Sequence, residues 1–209
     1  MPRHKKEERE EVMGETRHLL LEAAAAEFAR EGYHGANINR ISRAAGFAKG
    51  TVYNYFASKR ALMLSLIDEI SAEHHRFVGK QVVEEEDPRR GLERFFRAGL
   101  EWITHNLARG KVMLILLNGP DAEFKERMWQ GYQPMHRLLA EEVLLPGMEQ
   151  GIFRQEDPVR AAGLLMTLYL GLGSAVDAQG RSWLPPEWIA GFVLSGLLET
   201  DGQDAGQRE

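Results

Sequence analysis

The sequence predicts an all-α protein: three helices, two of them short, then a long helix, then a larger helical module. Three observations carry this. Apolar residues recur at helical spacing, first as Leu20, Ala24 and Phe28 and later as Leu62, Leu66 and Ile70. Helix-starting and helix-stopping residues punctuate the chain at helix-length intervals. No alternation of period two runs long enough for a strand.

The first helix is expected from about Thr16 to Glu31, with Thr16 as N-cap and Gly32 where a C-cap tolerates positive φ. Asn37 can cap a second helix, "INRISRAA", with Ile38, Ile41 and Ala45 inward. Gly46 ends that helix after two turns. A third short helix is expected from about Lys49, with Val52 and Phe56 inward and Phe47 beside them. Ser58 caps a long fourth helix. A break at "EEEDPRRG" follows, either a linker or a helix start. Beyond it come five helical segments, with Asp157-Pro158 and Pro185-Pro186 as starts and Gly110, Gly119 and Gly151 as stops. Pro134 and Pro146 are expected to kink or divide residues 121–151. These elements divide the chain into an arm (1–15), a first module (16–60), a second module (61–200) and a disordered tail (201–209).

The composition narrows the function. Hydrophobic residues make up 44% of the 209 positions, enough for a sizeable core, and no Cys is present, which removes disulfides, thiolate metal sites and a Cys nucleophile. The charged N-terminus has no signal-like apolar region, and the apolar stretches 163–176 and 191–198 fall short of a membrane span. A cytoplasmic protein is expected. The net charge of −5 hides an asymmetry: residues 1–60 hold 11 Lys+Arg against 8 Asp+Glu. No acid lies between Glu31 and Asp68, where Arg40, Arg43, Lys49, Lys59 and Arg60 fall. A local basic face on an acidic chain is either a phosphate-binding module or an ordinary solvated face.

Two short helices joined by a three- or four-residue turn with Gly form the helix-turn-helix pattern, which sets its second helix in the DNA major groove. The segment "GFAKGTVYNYFASK" (46–59), aromatic and acid-free, is that second helix and its flanks.

At these residues the sequence resembles the TetR family of bacterial transcription regulators. The family pattern falls on Phe28, Gly32 and Tyr33, on Asn37, on Ile41-Ser42, on Ala45-Gly46, on Gly50 through Phe56, and on Lys59 and Leu62. It covers about 48 residues with its internal spacing kept. Asn37 stands where Thr is common and Tyr55 where His is common. The resemblance implies a helix-turn-helix DNA-binding domain joined by the long helix to a ligand-binding and dimerisation domain. It also implies DNA contacts from Asn37, Lys49, Gly50, Thr51, Tyr53, Asn54, Tyr55 and Lys59. Physically, Gly50 permits close backbone approach. Lys49, Thr51 and Asn54 suit base edges, and the rest suit phosphates; Arg40 and Arg43 are open between phosphate contact and solvent.

The partners implied are a palindromic double-stranded operator, a second copy of the chain packed through 157–178 and 185–198, and a small lipophilic or aromatic effector whose binding releases DNA. Phe96, Trp102, Met113, Phe124, Met128, Trp129, Tyr132, Met166 and Tyr169 are the candidate effector contacts, with Phe95 and Met135 nearby in type; such side chains also fill ordinary cores. No cofactor, metal or enzymatic activity is expected. His74, His75, His105 and His136 lack a ligand spacing, and neither a nucleotide loop nor a nucleophile motif occurs. The competing reading is a helical small-molecule-binding or metal-dependent protein in which DNA binding is not the main activity.

Overall fold

The computed structural model describes residues 3–198 and is built of helices; among the described residues no strand forms, only two isolated antiparallel bridges, Phe153–Leu198 and Val176–Ser182. The chain divides into two compact units. One comprises residues 1–71 and 108–129, the other 72–107 and 130–209. Residues 108–129, assigned by sequence to the second module, therefore cluster with the first three helices. The tail expected at 201–209 lies outside the described residues. Among the described residues no helix is long and apolar enough to cross a membrane.

In the first unit, α1 (Arg3–Gly35) begins well before Thr16, so Thr16 caps nothing. The Lys, Arg and Glu of the charged N-terminal segment are strong helix formers and carry the helix back toward the terminus. The helix breaks at Gly32, at φ 70°, as the sequence led us to expect. Asn37 caps α2 (Ile38–Ala44), its Oδ1 accepting from the Asn39 N–H at 2.9 Å. The expected third helix is shorter than one: a single 3-10 turn, Thr51–Asn54. Ser58 Oγ accepts from Ala61 N–H at 3.0 Å and starts α3 (Lys59–Val83), whose first half belongs to this unit. Leu20, Leu21, Phe28, Ile41, Val52, Leu62 and Leu66 are fully or almost fully buried.

Residues 108–129 complete the first unit with most of α5 (Leu107–Asn118) and the start of α6 (Ala122–Leu138). Arg60 of α3 reaches Asp121 at 3.0 and 3.1 Å and Glu123 at 2.6 Å, and lies over the Phe124 ring at 4.7 Å. Arg127 pairs with Asp68 at 2.6 Å. Phe124 meets Tyr33 edge to face at 4.9 Å, and the buried Arg109 pairs with Glu69 at 2.9 Å and with Glu22.

In the second unit, Asp87 caps α4 (Pro88–His105) with Pro88 in its first turn, so the acidic break is a helix start. α4 and α5 part at Asn106, and Gly110 sits inside α5 rather than ending it. Pro134 does not divide α6. The helix continues through a π-helical segment, Leu139–Leu144, into α7 (Leu145–Glu149), where Pro146 occupies a first-turn position that needs no N–H donor. Asp157 caps α8 (Pro158–Gly171), and α9 (Pro186–Leu197) starts at Pro186. α4 packs on α9 and on the π-helical segment, which also packs on α8. Phe95, Phe96, Met135, Leu139, Phe153 and Tyr169 fill the interior.

Candidate nucleic-acid interface and effector site

The 3-10 turn starts from Gly50, at φ 86°, a left-handed backbone that a side chain would strain. Val52 (0% exposed) and Phe56 (4%) fasten the turn inward, while Tyr53 (56%) stands out. Lys49 and Asn54 are exposed, and Thr51, Tyr55 and Phe47 are half-buried. At three residues per turn, Thr51 and Asn54 eclipse each other about 6 Å apart along the axis. Two of the three residues suited to base edges thus lie on one line. Behind the turn, the buried Ser42 Oγ accepts a long hydrogen bond from Val52 N–H at 3.4 Å, tying the turn to α2.

The acid-free segment is less basic than its composition suggests. Arg40 donates to Glu27 at 2.8 Å, and Glu27 also accepts from Arg30 at 2.5 Å and from the Asn37 N–H at 2.9 Å. Burial pushes the Glu27 carboxyl up, but those hydrogen bonds outweigh it and hold it below the usual carboxylate range. Arg60 is held by Asp121 and Glu123. Lys59 Nζ donates to the carbonyls of His34 (2.9 Å) and Ala36 (2.8 Å) and lies 5.1 Å from the Tyr33 ring centroid. Burial lowers its pKa, partly offset by the charge of Glu27. Lys59 therefore closes the end of α1. Among the described residues no carboxylate lies within ion-pair distance of Lys49 or Arg43, so these two cations are available to an external anion.

The candidate effector residues fall in both units. Met113, Phe124, Met128 and Trp129 belong to the first; Phe96, Trp102, Tyr132, Met166 and Tyr169 belong to the second. All but Trp129, 41% exposed, are buried. In the first unit, Phe124 lines a cleft of about 250 Å³ with Tyr33, Ile115, Leu116 and Pro120. In the second, Trp102, Tyr132 and Tyr169 converge on His74. Tyr132 Oη lies 2.8 Å from His74 Nδ1 and Tyr169 Oη lies 2.7 Å from Nε2. Trp102 stacks on the imidazole at 4.3 Å. Burial, helped slightly by His75, drives the His74 pKa down to about 3, so the ring is neutral, and burial pushes both tyrosines up.

Sequence reading missed His74 as the centre of this cluster, although the signal was present. Leu62, Leu66 and Ile70 step by four along the inward face of α3, and the next step is His74. Gly99 was also missed. A Cβ there would lie 2.2 Å from Tyr169 Cε2 and Oη, so only glycine admits that ring.

A capped α2 followed by a 3-10 turn that exposes Tyr53 and Asn54, with Lys49 exposed just before it, has the layout of a helix-turn-helix module. Residues 20–66 match the family described as bacterial regulatory proteins, tetR family. The chain is 44% identical over 55 residues to the uncharacterized HTH-type transcriptional regulator YdgC of Bacillus subtilis, which covers 26% of this chain and 28% of that protein. It is 26% identical over 157 residues to the HTH-type transcriptional repressor AcnR of Corynebacterium efficiens, covering 72% and 76%. The fold matches that of the fatty acid degradation regulator FadR from Bacillus halodurans (TM-score 0.76, 21% identity, 87% of this chain and 95% of that one). It also matches AibR, solved with isovaleryl coenzyme A and operator DNA (TM-score 0.69, 21% identity, 88% and 98%).

Proposed function

We propose that this protein is a ligand-responsive transcriptional repressor that binds a palindromic operator as a homodimer and releases it when a small apolar effector binds. In this reading residues 16–60 bind DNA and residues 61–200 bind the effector and the second copy, in the cytoplasm. The observation that carries it is the presentation of Lys49, Thr51, Tyr53 and Asn54 on a turn anchored by Val52 and Phe56. Lys49, Thr51 and Asn54 read base edges; Tyr53, Tyr55, Asn37 and the Gly50 backbone contact phosphates. Lys59 acts mainly by holding the end of α1, with one ammonium hydrogen left for a phosphate.

Dimerisation is supported by an apolar face in the second unit. Leu164 and Leu168 are exposed one turn apart on α8, and Trp188 and Phe192 stack one turn apart on α9 at 5.5 Å. Exposed apolar residues in such rows mark an association surface. An effector is supported by the aromatic and Met-rich interior, and AibR, of the same fold, was solved with an acyl thioester. Release requires that the effector favour one arrangement of the helices over another. The ties of Arg60 to Asp121 and Glu123, and of Tyr33 to Phe124, couple the start of α6 to α3 and α1 within the first unit.

Fluorescence anisotropy with DNA flanking the protein's own gene tests this reading. Specific binding that weakens steeply between 50 and 200 mM salt, as phosphate contacts require, is expected. Equal affinity for unrelated DNA at every salt concentration contradicts it.

A further inference from the structure

The Tyr132–His74–Tyr169 cluster is a hydrogen-bonded chain whose donors outnumber its acceptors. A neutral imidazole brings one N–H and each tyrosine one O–H, three hydrogens in all. The cluster makes two bonds, Tyr132 Oη to Nδ1 and Tyr169 Oη to Nε2. In either tautomer one tyrosine donates to the ring and the other accepts from it, and the accepting tyrosine keeps a hydroxyl hydrogen with no acceptor. Among the described residues neither hydroxyl has another hydrogen-bond partner. The three side chains are only 1–3% exposed, so the spare donor is cut off from bulk solvent. A buried donor without an acceptor is costly, and native structures rarely keep one without a use.

The surroundings define what could satisfy it. Trp102 covers one face of the imidazole, and Phe95 and Phe96 lie 4.5 and 6.2 Å from the Tyr169 ring. Among the described residues no Lys or Arg is bonded to the cluster. A carboxylate brought here would be a buried anion without a counter-charge, and an ammonium would find a donor where it needs an acceptor. A neutral carbonyl oxygen meets neither penalty.

We propose that Tyr132, His74 and Tyr169 form the polar recognition point for the effector, selecting an apolar molecule with a neutral carbonyl over a free acid or an amine. Ester, thioester and ketone carbonyls are the class that fits. The inference rests on the effector reading above and specifies its chemistry.

Calorimetric titration of the full-length protein with three probes of matched chain tests it: methyl octanoate, octanoate and 1-chlorooctane. The ester should bind at least about tenfold more tightly than octanoate. At least one of Tyr132→Phe and Tyr169→Phe should weaken the ester by about tenfold while changing 1-chlorooctane by less than about twofold. A merely structural cluster would weaken ester and chloride alike, and that result overturns the proposal. So does octanoate binding as tightly as the ester. Binding by none of the three, in a protein that still binds its operator, overturns the apolar-effector reading itself and this inference with it.

Discussion

Gly99→Ala should destabilise the protein, against the ordinary preference of helices. Within a helix, Ala is favoured over Gly by about 1 kcal/mol. At Gly99 the added Cβ would lie 2.2 Å from Cε2 and Oη of Tyr169 and 2.3 Å from Cζ, where carbon contacts normally sit near 3.5–4.0 Å. The ring must move by more than about 1 Å, yet Phe95 lies 4.5 Å away and His74 holds the hydroxyl at 2.7 Å. Overpacking of this kind costs about 1–3 kcal/mol. Pulling Oη from Nε2 leaves buried polar atoms unpaired, at about 1–3 kcal/mol more. After the helical gain is subtracted, a net loss of about 3 kcal/mol is expected, or roughly 6–12 °C in Tm for a chain of this size. Gly14→Ala is the control, since nothing lies within 4 Å of its would-be Cβ in α1. It should be stabilising by up to about 1 kcal/mol. Thermal unfolding followed by circular dichroism measures both. A Gly99→Ala protein as stable as wild type would refute the packing argument and the placement of Tyr169.

Lys59→Met should cost about 2 kcal/mol in urea unfolding, because it removes two hydrogen bonds to the carbonyls closing α1. An unchanged midpoint would return Lys59 to a purely DNA-contacting role. His74 gives a pH signature. It takes up a proton near pH 6.5 when unfolded but only near pH 3 in the fold, so between those values the unfolded state binds more protons. Stability should fall on acidification through this window, by at most about 1.4 kcal/mol per pH unit from this residue. His74→Phe should show a shallower slope in denaturant melts from pH 7 to 4; an identical slope would mean that His74 is not buried neutral. Wild type should elute as a dimer in size-exclusion chromatography, and Leu164→Glu with Phe192→Glu as a monomer. A dimeric double variant would place the interface elsewhere.

Much of the fold was legible because it rests on local chemistry. Asn37, Ser58 and Asp157 cap helices through their own side chains, and Gly32 and Gly50 take the positive φ expected or implied by a break and a close approach. The inward positions of Val52, Phe56, Leu62, Leu66 and Ile70 follow from spacing alone. What was illegible depends on partners distant in sequence. The basic segment was open between a phosphate-binding face and a solvated one, and neither reading foresaw that Glu27, Asp121 and Glu123 engage Arg40 and Arg60. Lys59 matched a DNA-contact position by resemblance, but its nearest acceptors are two carbonyls more than 20 residues away. The third helix shrank to a 3-10 turn because Gly50, in a left-handed conformation, cannot extend a helix backward to Lys49. Aromatic density identified Trp102, Tyr132 and Tyr169 but not the histidine that joins them.

The most direct measurement is the operator affinity of Tyr53→Ala and Lys49→Ala, read by anisotropy on DNA flanking the gene, with Tm measured on the same samples. Both side chains point outward from an anchored turn, and neither has a hydrogen bond or ion pair among the described residues. Each substitution should therefore abolish specific binding while leaving Tm and the size-exclusion elution volume unchanged. Undiminished affinity in both variants would contradict the assignment of residues 49–54 as the DNA-reading surface.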